Sequence, residues 1–285
     1  MLQTLECLRN TNKFTYHFAL SGGEVTLYPH LEEMLRTISE YFHSKQCGIT
    51  LLSNGSASVE KMRSLVGAAT PHHIMFIITL HLDHIDIDTL VAKLEAFSDP
   101  ERAQRFLIKL IMTPGNMPRA LTAKKTLDNA GIINYRIQHV LDMDTGILSP
   151  EYTQEQLDVI AALRAERPAE KYMQFFNEYE DGAQRIIKTF TYAQGVAQGL
   201  LRYQGMYCAA GCTSFRVDAF GKIRKSRFCG DMGYTAAEKN PFTDPAFITP
   251  ARCPAAHCTC ISYSRLPKWR YPADAPEYLR QYAGA

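Results

Sequence analysis

Two glycines and an acid, in Ser21-Gly22-Gly23-Glu24, form the first group of residues that could do chemistry. They follow an apolar run directly and precede an amphipathic stretch. Two glycines let the backbone approach a ligand closely and adopt dihedral angles closed to other residues. The Glu24 carboxylate could then accept hydrogen bonds from a ligand ammonium group. Taken alone, the same residues fit a flexible turn with an acid at a helix start equally well.

Cysteines form the second group. The chain has eight, of which Cys7 and Cys47 stand alone. The other six crowd into the C-terminal part of the chain: Cys208, Cys212, Cys229, Cys253, Cys258 and Cys260. The first twenty residues lack a secretory apolar segment, so the cluster predicts metal binding before disulfides. Four soft ligands suffice for zinc or for an iron–sulfur cluster, and composition does not choose between them.

Alternating strands and helices are expected to position the first group. Apolar runs of strand length, with helix-like stretches between them, begin near Phe14, Gly48, Ile74, Arg105 and Ile132. This alternation, at a period of about thirty residues, predicts repeated β/α units and a parallel sheet. The two glycines and the acid would then lie at the carboxyl ends of the strands, where the active sites of β/α barrels are built.

The second half of the chain gives weaker signals. Thr153 and Gln156 have capping-box spacing and predict a helix that ends at Pro168. Residues 169 to 207 mix helical and strand-like patterns and receive no assignment. Apolar alternation on both sides of Asp218-Ala219-Phe220-Gly221 predicts a β-hairpin flanked by cysteines.

Composition excludes several classes of function. The 285 residues are 46% hydrophobic and 21% charged, which is ordinary for a globular protein. A formal charge of +2 gives no electrostatic case for nucleic acid, and Arg224-Lys225 is predicted to be solvated surface. No segment approaches the roughly 18 consecutive apolar residues of a membrane span. The expectation is therefore a cytoplasmic protein that binds neither nucleic acid nor membrane.

The segment SGGEVTLYPHLEEML, from Ser21 to Leu35, closely resembles the second-strand motif of radical S-adenosylmethionine (AdoMet) enzymes. That motif usually reads GGEPTLxPxLxxLL, and Val25 here replaces the common proline. The segment LLSNG, ending at Gly55, is similar to the "TNG" element of the family's third strand. The agreement in order, spacing and context extends across residues 14 to 140.

The resemblance implies an AdoMet site at the strand ends. Residues Gly22, Gly23 and Glu24 would bind the methionine ammonium group. Ser53 and Asn54 would lie near the ribose or carboxylate, and Thr79 would contact the methionyl or ribose part.

The family's defining CxxxCxxC motif does not occur in this sequence. In the family, its three thiolates hold a [4Fe–4S] cluster that AdoMet completes, and the cluster supplies the electron that cleaves AdoMet. The family core has six strands, and the resemblance matches strands two to six. We therefore expect a late start or a truncation before Met1, with one β/α unit upstream. The chain as given is expected to be inactive, and the catalytic cluster is expected only in a full-length form.

The C-terminal region resembles the SPASM or shorter twitch extension of these enzymes. The pattern CxAG…FxVDxxGxIxxxxxC, within residues 207 to 260, carries this resemblance, although the usual cysteine after the hairpin falls at Ser226 and Cys229 comes three residues later. It implies one auxiliary [4Fe–4S] cluster. The leading ligands are Cys208, Cys229, Cys258 and Cys260, with Cys212 and Cys253 as close candidates.

The fold expected from these observations is α/β. A partial (β/α)6 barrel, strands two to six, would occupy residues 1–148, a linker or helical region 149–206, and a small α+β cysteine-rich domain 207–285.

The function that the resemblance implies is a radical AdoMet oxidoreductase. It would abstract hydrogen from an unactivated carbon through a 5′-deoxyadenosyl radical, with a peptide preferred as substrate over another small molecule. A reductant such as flavodoxin or ferredoxin would serve it. The alternative is a non-catalytic ligand-binding protein with a zinc-stapled C-terminal domain.

Overall fold

The structure is a computed structural model, and it describes residues 2–9, 15–140, 151–166, 175–180, 185–191, 202–225, 233–235, 238–254 and 266–280. Five parallel strands form one sheet. They are β1 (Thr15–Leu20), β2 (Gln46–Ser53), β3 (His73–Leu80), β4 (Phe106–Met112) and β5 (Tyr135–His139). Their order across the sheet is their order along the chain. This confirms the predicted β/α units, because parallel neighbours need a crossover between them.

Helices fill the crossovers. Seven helices accompany the sheet: α1 (Leu2–Arg9), α2 (Leu31–Tyr41), α3 (Val59–Ala68), α4 (Ile87–Glu95), α5 (Asp99–Arg105), α6 (Met117–Asn129) and α7 (Gln154–Ala165). Capping side chains fix two of the starts. Ser58 Oγ accepts from the N–H of Lys61 before α3, and Asp86 accepts from the N–H of Thr89 before α4. Across the described residues, no helix is both long and apolar enough to cross a membrane.

Helix α5 is not predicted by the sequence pattern, because its seven residues bury none of their side chains. A capping box starts it instead. The backbone N–H and the hydroxyl of Ser98 both donate to Glu101, at 3.2 and 2.9 Å. The corresponding prediction for α7 is confirmed: Thr153 and Gln156 exchange reciprocal hydrogen bonds at 3.1 and 3.2 Å.

The two faces of the sheet lie in different surroundings. In β3, Ile74, Phe76 and Ile78 are fully buried, whereas the residues between them are half-buried. The buried set packs with residues of α2, α3, α4 and α6 in one hydrophobic core. The helices therefore cover one face. We call the opposite face, formed by the alternate residues of the five strands, the inner face.

Both edge strands are single-sided over the part of the chain that the structure describes: β1 pairs only with β2, and β5 only with β4. This agrees with the expected partial barrel of strands two to six, in which the first visible strand has a neighbour on one side only. Aromatic side chains support that edge. The rings of Tyr16 and Phe18 pack on Phe42, with centroids 4.7 and 5.2 Å away.

The second half is antiparallel for the most part. Its strands are β6 (Phe175–Glu180), β7 (Arg185–Thr191), β8 (Tyr207–Cys208), β9 (Arg216–Val217), β10 (Lys222–Arg224), β11 (Tyr234–Thr235), β12 (Ala251–Arg252) and β13 (Lys268–Trp269). One sheet has the order β12-β8-β13-β6-β7 and another β11-β10-β9. Two short helices, α8 (Pro245–Ile248) and α9 (Glu277–Arg280), accompany them. The region that received no assignment thus contains the β6–β7 pair.

The predicted hairpin is confirmed by the antiparallel pairing of β9 and β10. Its turn is built by Asp218, whose Oδ1 accepts from the N–H groups of Phe220 and Lys222 at 2.9 and 3.0 Å. Gly221 takes the left-handed conformation, with φ of 79°, that closes such a turn.

Candidate functional site

The loop after β1 turns at two glycines. Gly22 has a φ of 130° and Gly23 a φ of 52°, conformations that residues with a side chain rarely adopt. Both are exposed, and a Cβ placed on either would meet no heavy atom within 4 Å. The backbone of this loop is therefore accessible to a ligand.

Glu24 ties this loop to the end of β2. Its Oε1 accepts hydrogen bonds from Ser53 Oγ at 2.8 Å and from the hydroxyl and N–H of Thr26 at 2.6 and 3.0 Å. Its Oε2 accepts from the N–H of Asn54 at 2.5 Å. One side chain thus fixes the end of β1 against the end of β2 and also caps the 3₁₀ turn Val25–Leu27.

The turn after β2 is equally well determined. Ser53 is buried, and its Oγ accepts from the N–H of Gly55 at 3.0 Å. Asn54 Oδ1 accepts from the N–H of Ser56 at 2.8 Å. Gly55 has a φ of 82°, and a Cβ there would come within 3.0 Å of a methyl group of Ile78. The sequence Ser-Asn-Gly therefore specifies a tight turn that only glycine completes without strain.

Hydrogen bonds keep Glu24 ionised. Partial burial by itself would raise the pKa of this carboxyl group, but donors on Asn54, Thr26 and Ser53 outweigh burial and hold the pKa below its ordinary value. An ionised carboxylate accepts about four hydrogen bonds. Each oxygen carries two of these acceptor sites: Oε1 is filled by its three donors, whereas Oε2, with one donor, retains one site for a ligand cation.

Thr79 shares this end of the sheet. It is the second-last residue of β3, on the inner face, and is half-buried. The parallel register sets Ser53 beside Ile78, so Thr79 lies one strand across from the turn at Asn54. The structure thus places all the predicted cofactor residues at the carboxyl ends of β1, β2 and β3. It brings Glu24, Ser53 and Asn54 into direct contact.

A surface cavity of about 480 Å³ lies elsewhere, between α2 and α3. It is lined by the C-terminal halves of these helices and by Thr70, just beyond α3; the other lining residues are Arg36, Ser39, Glu40, Ser64, Gly67 and Ala68. Helices in β/α units run antiparallel to their strands, so this cavity faces the amino ends of the strands. It is therefore separate from the site at Glu24.

Three of the predicted thiolate ligands, Cys208, Cys212 and Cys253, are described by the structure, and all three are buried. Cys208 lies on β8, opposite Ala251 of β12. The N–H of Cys253 donates to the carbonyl of Met206 at 2.7 Å, which continues the same pairing. The register therefore places Cys208 and Cys253 diagonally on one face of this small sheet.

Cys212 lies on the other side. It packs with Ala209 and Trp269 in a small hydrophobic cluster, and its thiol donates to the carbonyl of Ile248. Ala209 directly follows Cys208, and successive residues of an extended chain point to opposite faces. Cys212 is thus grouped with the face that Cys208 does not occupy.

The described cysteines do not form a metal site among themselves. Over the residues that the structure describes, no group of three or more His, Cys, Asp or Glu side chains is placed to hold a metal ion. Cys229, Cys258 and Cys260 lie outside the described residues. The convergence of at least four C-terminal cysteines on one site therefore stays a prediction.

Two buried lysines near these cysteines are missed by the sequence reading. Lys268, 1% exposed, lies opposite Cys208 on β13, and its Nζ donates to the carbonyl of Leu266 at 2.9 Å. Lys225 is buried, and its Nζ donates to the carbonyl of Thr249 at 2.9 Å. The expectation of a solvated Lys225 is wrong. No local pattern indicates the burial, because the covering residues come from distant parts of the chain.

Comparison with known proteins gives one kind of match. No protein-family profile matches this sequence, and neither does any curated protein. Solved structures do match, and they show that the molecule has the fold of a radical AdoMet enzyme.

Four of the matching structures are of anSMEcpe, an anaerobic sulfatase-maturating enzyme. Native anSMEcpe with bound AdoMet superposes with a TM-score of 0.51 at 15% identity, over 87% of this chain and 72% of that chain. Its form with bound AdoMet and the Cp18Cys peptide superposes with a TM-score of 0.51 at 15% identity, over 87% of this chain and 73% of that chain. The histidine-tagged form with bound AdoMet superposes with a TM-score of 0.51 at 14% identity, over 87% of this chain and 69% of that chain. This chain spans between 65% and 73% of the length of the anSMEcpe chains that it matches.

Proposed function

We propose that this protein is of the radical AdoMet type and binds AdoMet at the loop from Ser21 to Glu24. The observation that carries the proposal is the Glu24 carboxylate, ionised and anchored to Ser53 and Asn54 beside two accessible glycines. An anion with spare acceptor capacity suits the methionine ammonium group. The backbone at Gly22 and Gly23 leaves room for the cofactor to approach. The fold shared with AdoMet-bound structures supports the same assignment.

The reaction that we propose, for a form that also carries the catalytic [4Fe–4S] cluster, is hydrogen abstraction from an unactivated carbon. When bound in enzymes of this type, AdoMet supplies the 5′-deoxyadenosyl radical that abstracts the hydrogen. This chain's own residues would hold the cofactor at the strand ends: Glu24 through its charge, Ser53 and Asn54 beside the ribose or carboxylate, and Thr79 from the next strand. A peptide is the proposed substrate, supported by the peptide bound in the anSMEcpe structure.

A binding experiment tests the cofactor assignment. AdoMet should bind the anaerobically reconstituted chain with a Kd below about 1 mM. Gly23→Val should weaken binding at least about tenfold, because the side chain would fill the space open to the ligand. Gly131→Val is the matched control, since Gly131 also has a positive φ, 67°, and no heavy atom near its Cβ position. Absence of AdoMet binding, or equal loss in both variants, would contradict the proposal.

The C-terminal cysteines would hold one auxiliary [4Fe–4S] cluster, and a flavodoxin or ferredoxin would supply electrons. Their buried setting supports a site closed to solvent, since Cys208, Cys212 and Cys253 are each 5% exposed or less.

The second candidate is a ligand-binding protein with zinc in the C-terminal domain. It is favoured by one observation, the lack of CxxxCxxC among the 285 residues. Metal analysis after anaerobic purification separates the two. Iron and sulfide support the radical AdoMet type, whereas stoichiometric zinc without iron supports the binding protein.

A further inference from the structure

The inner face of the parallel sheet carries apolar side chains toward the carboxyl ends of strands β2 to β4. Residues such as Leu52, Ile77 and Ile111 occupy the alternate positions that the helices do not cover. The residues with formal charge on this face of the five strands are both cations, Lys109 on β4 and Arg136 on β5. Both are half-buried.

The register places the two cations side by side. Lys109 pairs with Arg136 across β4 and β5, and Thr79 pairs with Lys109 across β3 and β4. Neighbouring strands are about 4.8 Å apart. The two cations thus begin about 5 and 10 Å from Thr79 along one row, which leads back to the turn at Asn54.

Two cations side by side on this face are unfavourable for folding in two respects. Like charges directly opposite each other on neighbouring strands are destabilising. Charged groups on a partly enclosed apolar surface also lose hydration. Leu107 and Ile111, two positions away on β4, show that an apolar side chain fits this face. Positions that break a local rule of packing are where functional residues are expected.

We propose that Lys109 and Arg136 bind a carboxylate group of the substrate, beside the place of AdoMet. This deepens the proposed function and rests on it. The planar guanidinium of Arg136 can donate two parallel hydrogen bonds to a carboxylate, and the Lys109 ammonium adds a point charge. Apolar surroundings strengthen both interactions. Both side chains also interact with other groups of the protein, which a bound carboxylate would join or displace.

Paired probes test the proposal. AdoMet-saturated protein is titrated calorimetrically with glutarate, N-acetylglutamate and blocked acidic hexapeptides, each against its neutral amide. Acids should bind at least about tenfold more tightly than their amides, as a charge-assisted hydrogen bond predicts. Lys109→Met and Arg136→Met should each remove this preference, and Lys109→Arg should restore part of it. Lys125→Met, which removes an exposed cation from α6, should leave the preference unchanged.

Three results would overturn the proposal: equal binding of acids and amides, an acid preference that survives in both methionine variants, or variants that weaken only AdoMet. The last result is checked with decarboxylated AdoMet. If the cations bind the cofactor's own carboxylate, the methionine variants should bind decarboxylated AdoMet as tightly as the wild-type protein does. The same titrations without AdoMet distinguish a failure of the carboxylate site from a failure of the proposed function. If the protein binds no AdoMet yet prefers acids through Lys109 and Arg136, the proposed function fails and the carboxylate site stands.

Discussion

The two halves of the molecule position their polar groups by different means. In the first half, strands of five to eight residues are paired along their length, and the polar residues follow their carboxyl ends. In the second half, β8, β12 and β13 have two residues each. There the placement of Cys208 and Cys253 depends on single cross-strand pairs between residues more than forty positions apart.

This difference decides what each half can do without help. The Glu24 site is complete in its protein contacts, because all four donors to the carboxylate are described and lie within one loop and one turn. The described thiols instead lie on two sides of a small sheet and do not make a metal site together. The first half thus carries a preorganised candidate site, whereas a metal site in the second half would need further ligands.

The strongest test of this contrast is redox chemistry. We predict that the 285-residue chain binds AdoMet but does not cleave it reductively. The sequence lacks the cysteine triad, and Cys47 is the second residue of β2, about 20 Å along the strand from Ser53. Reconstitution with iron, sulfide and dithionite, followed by assay for 5′-deoxyadenosine, checks this. Product that depends on this chain and on AdoMet would show that the two halves cooperate in a way the structure does not suggest.

Thiol chemistry gives the next largest effect. Burial raises the pKa of Cys47 to about 12 from an ordinary value of 9.0. The thiolate is the reactive form, so alkylation near pH 8 should be about a thousandfold slower in the folded protein than in the unfolded chain. Mass spectrometry of timed iodoacetamide labelling measures both rates. Rapid native labelling of Cys47 would mean that the first half also carries a reactive thiol.

The same contrast explains how far the sequence reaches. Local signals determine the first half: two glycines, an acid and the Ser-Asn-Gly turn lie within about thirty residues of one another. Sequence therefore predicts five strands and the residues at their ends. It does not predict that Glu24 spends most of its acceptor capacity on protein donors, since those contacts join two separate loops.

In the second half, no residue pattern indicates which side chains are buried. Lys225 follows an arginine in a hairpin strand and has the composition of surface, yet its stem packs on Gly211. Lys268 is buried opposite Cys208, sixty positions away along the chain. Long-range packing decides both positions, and one sequence does not reveal it. The pairing of Lys109 with Arg136 across β4 and β5 is likewise known only from the register of the strands.

Substitutions at two glycines compare how closely the two halves are packed. Gly211 has a φ of 90°, and a Cβ there would lie 2.3 Å from the carbonyl oxygen of Phe247. Gly211→Ala should therefore destabilise the protein by about 3 kcal/mol or more. Gly22→Ala, with a φ of 130° and open space, should cost only about 1–2 kcal/mol of backbone strain.

Urea unfolding measures both losses. Trp269, the chain's one tryptophan, reports on the second half by fluorescence, and far-ultraviolet circular dichroism reports on the whole. Equal losses for the two variants would mean that the second half is no more tightly packed around its cysteines than the exposed loop is.

The smallest expected effect concerns the Glu24 carboxylate. Its pKa is lowered on folding, so its contribution to stability is present above the unfolded value near 4.5 and is lost as the pH falls through the folded pKa. Glu24→Gln should destabilise the protein by about 1 kcal/mol at pH 7, a modest figure because the group is partly exposed and solvent screens it. The difference in unfolding free energy between the variant and the wild-type protein should narrow below about pH 4.5, because the wild-type protein then loses the charge that the variant lacks. Glu33→Gln, which alters an exposed acid paired with His30, is the control and should change little at any pH. If the gap stays constant down to pH 3, packing rather than charge holds the loop. The first half would then resemble the second, where buried contacts do the positioning.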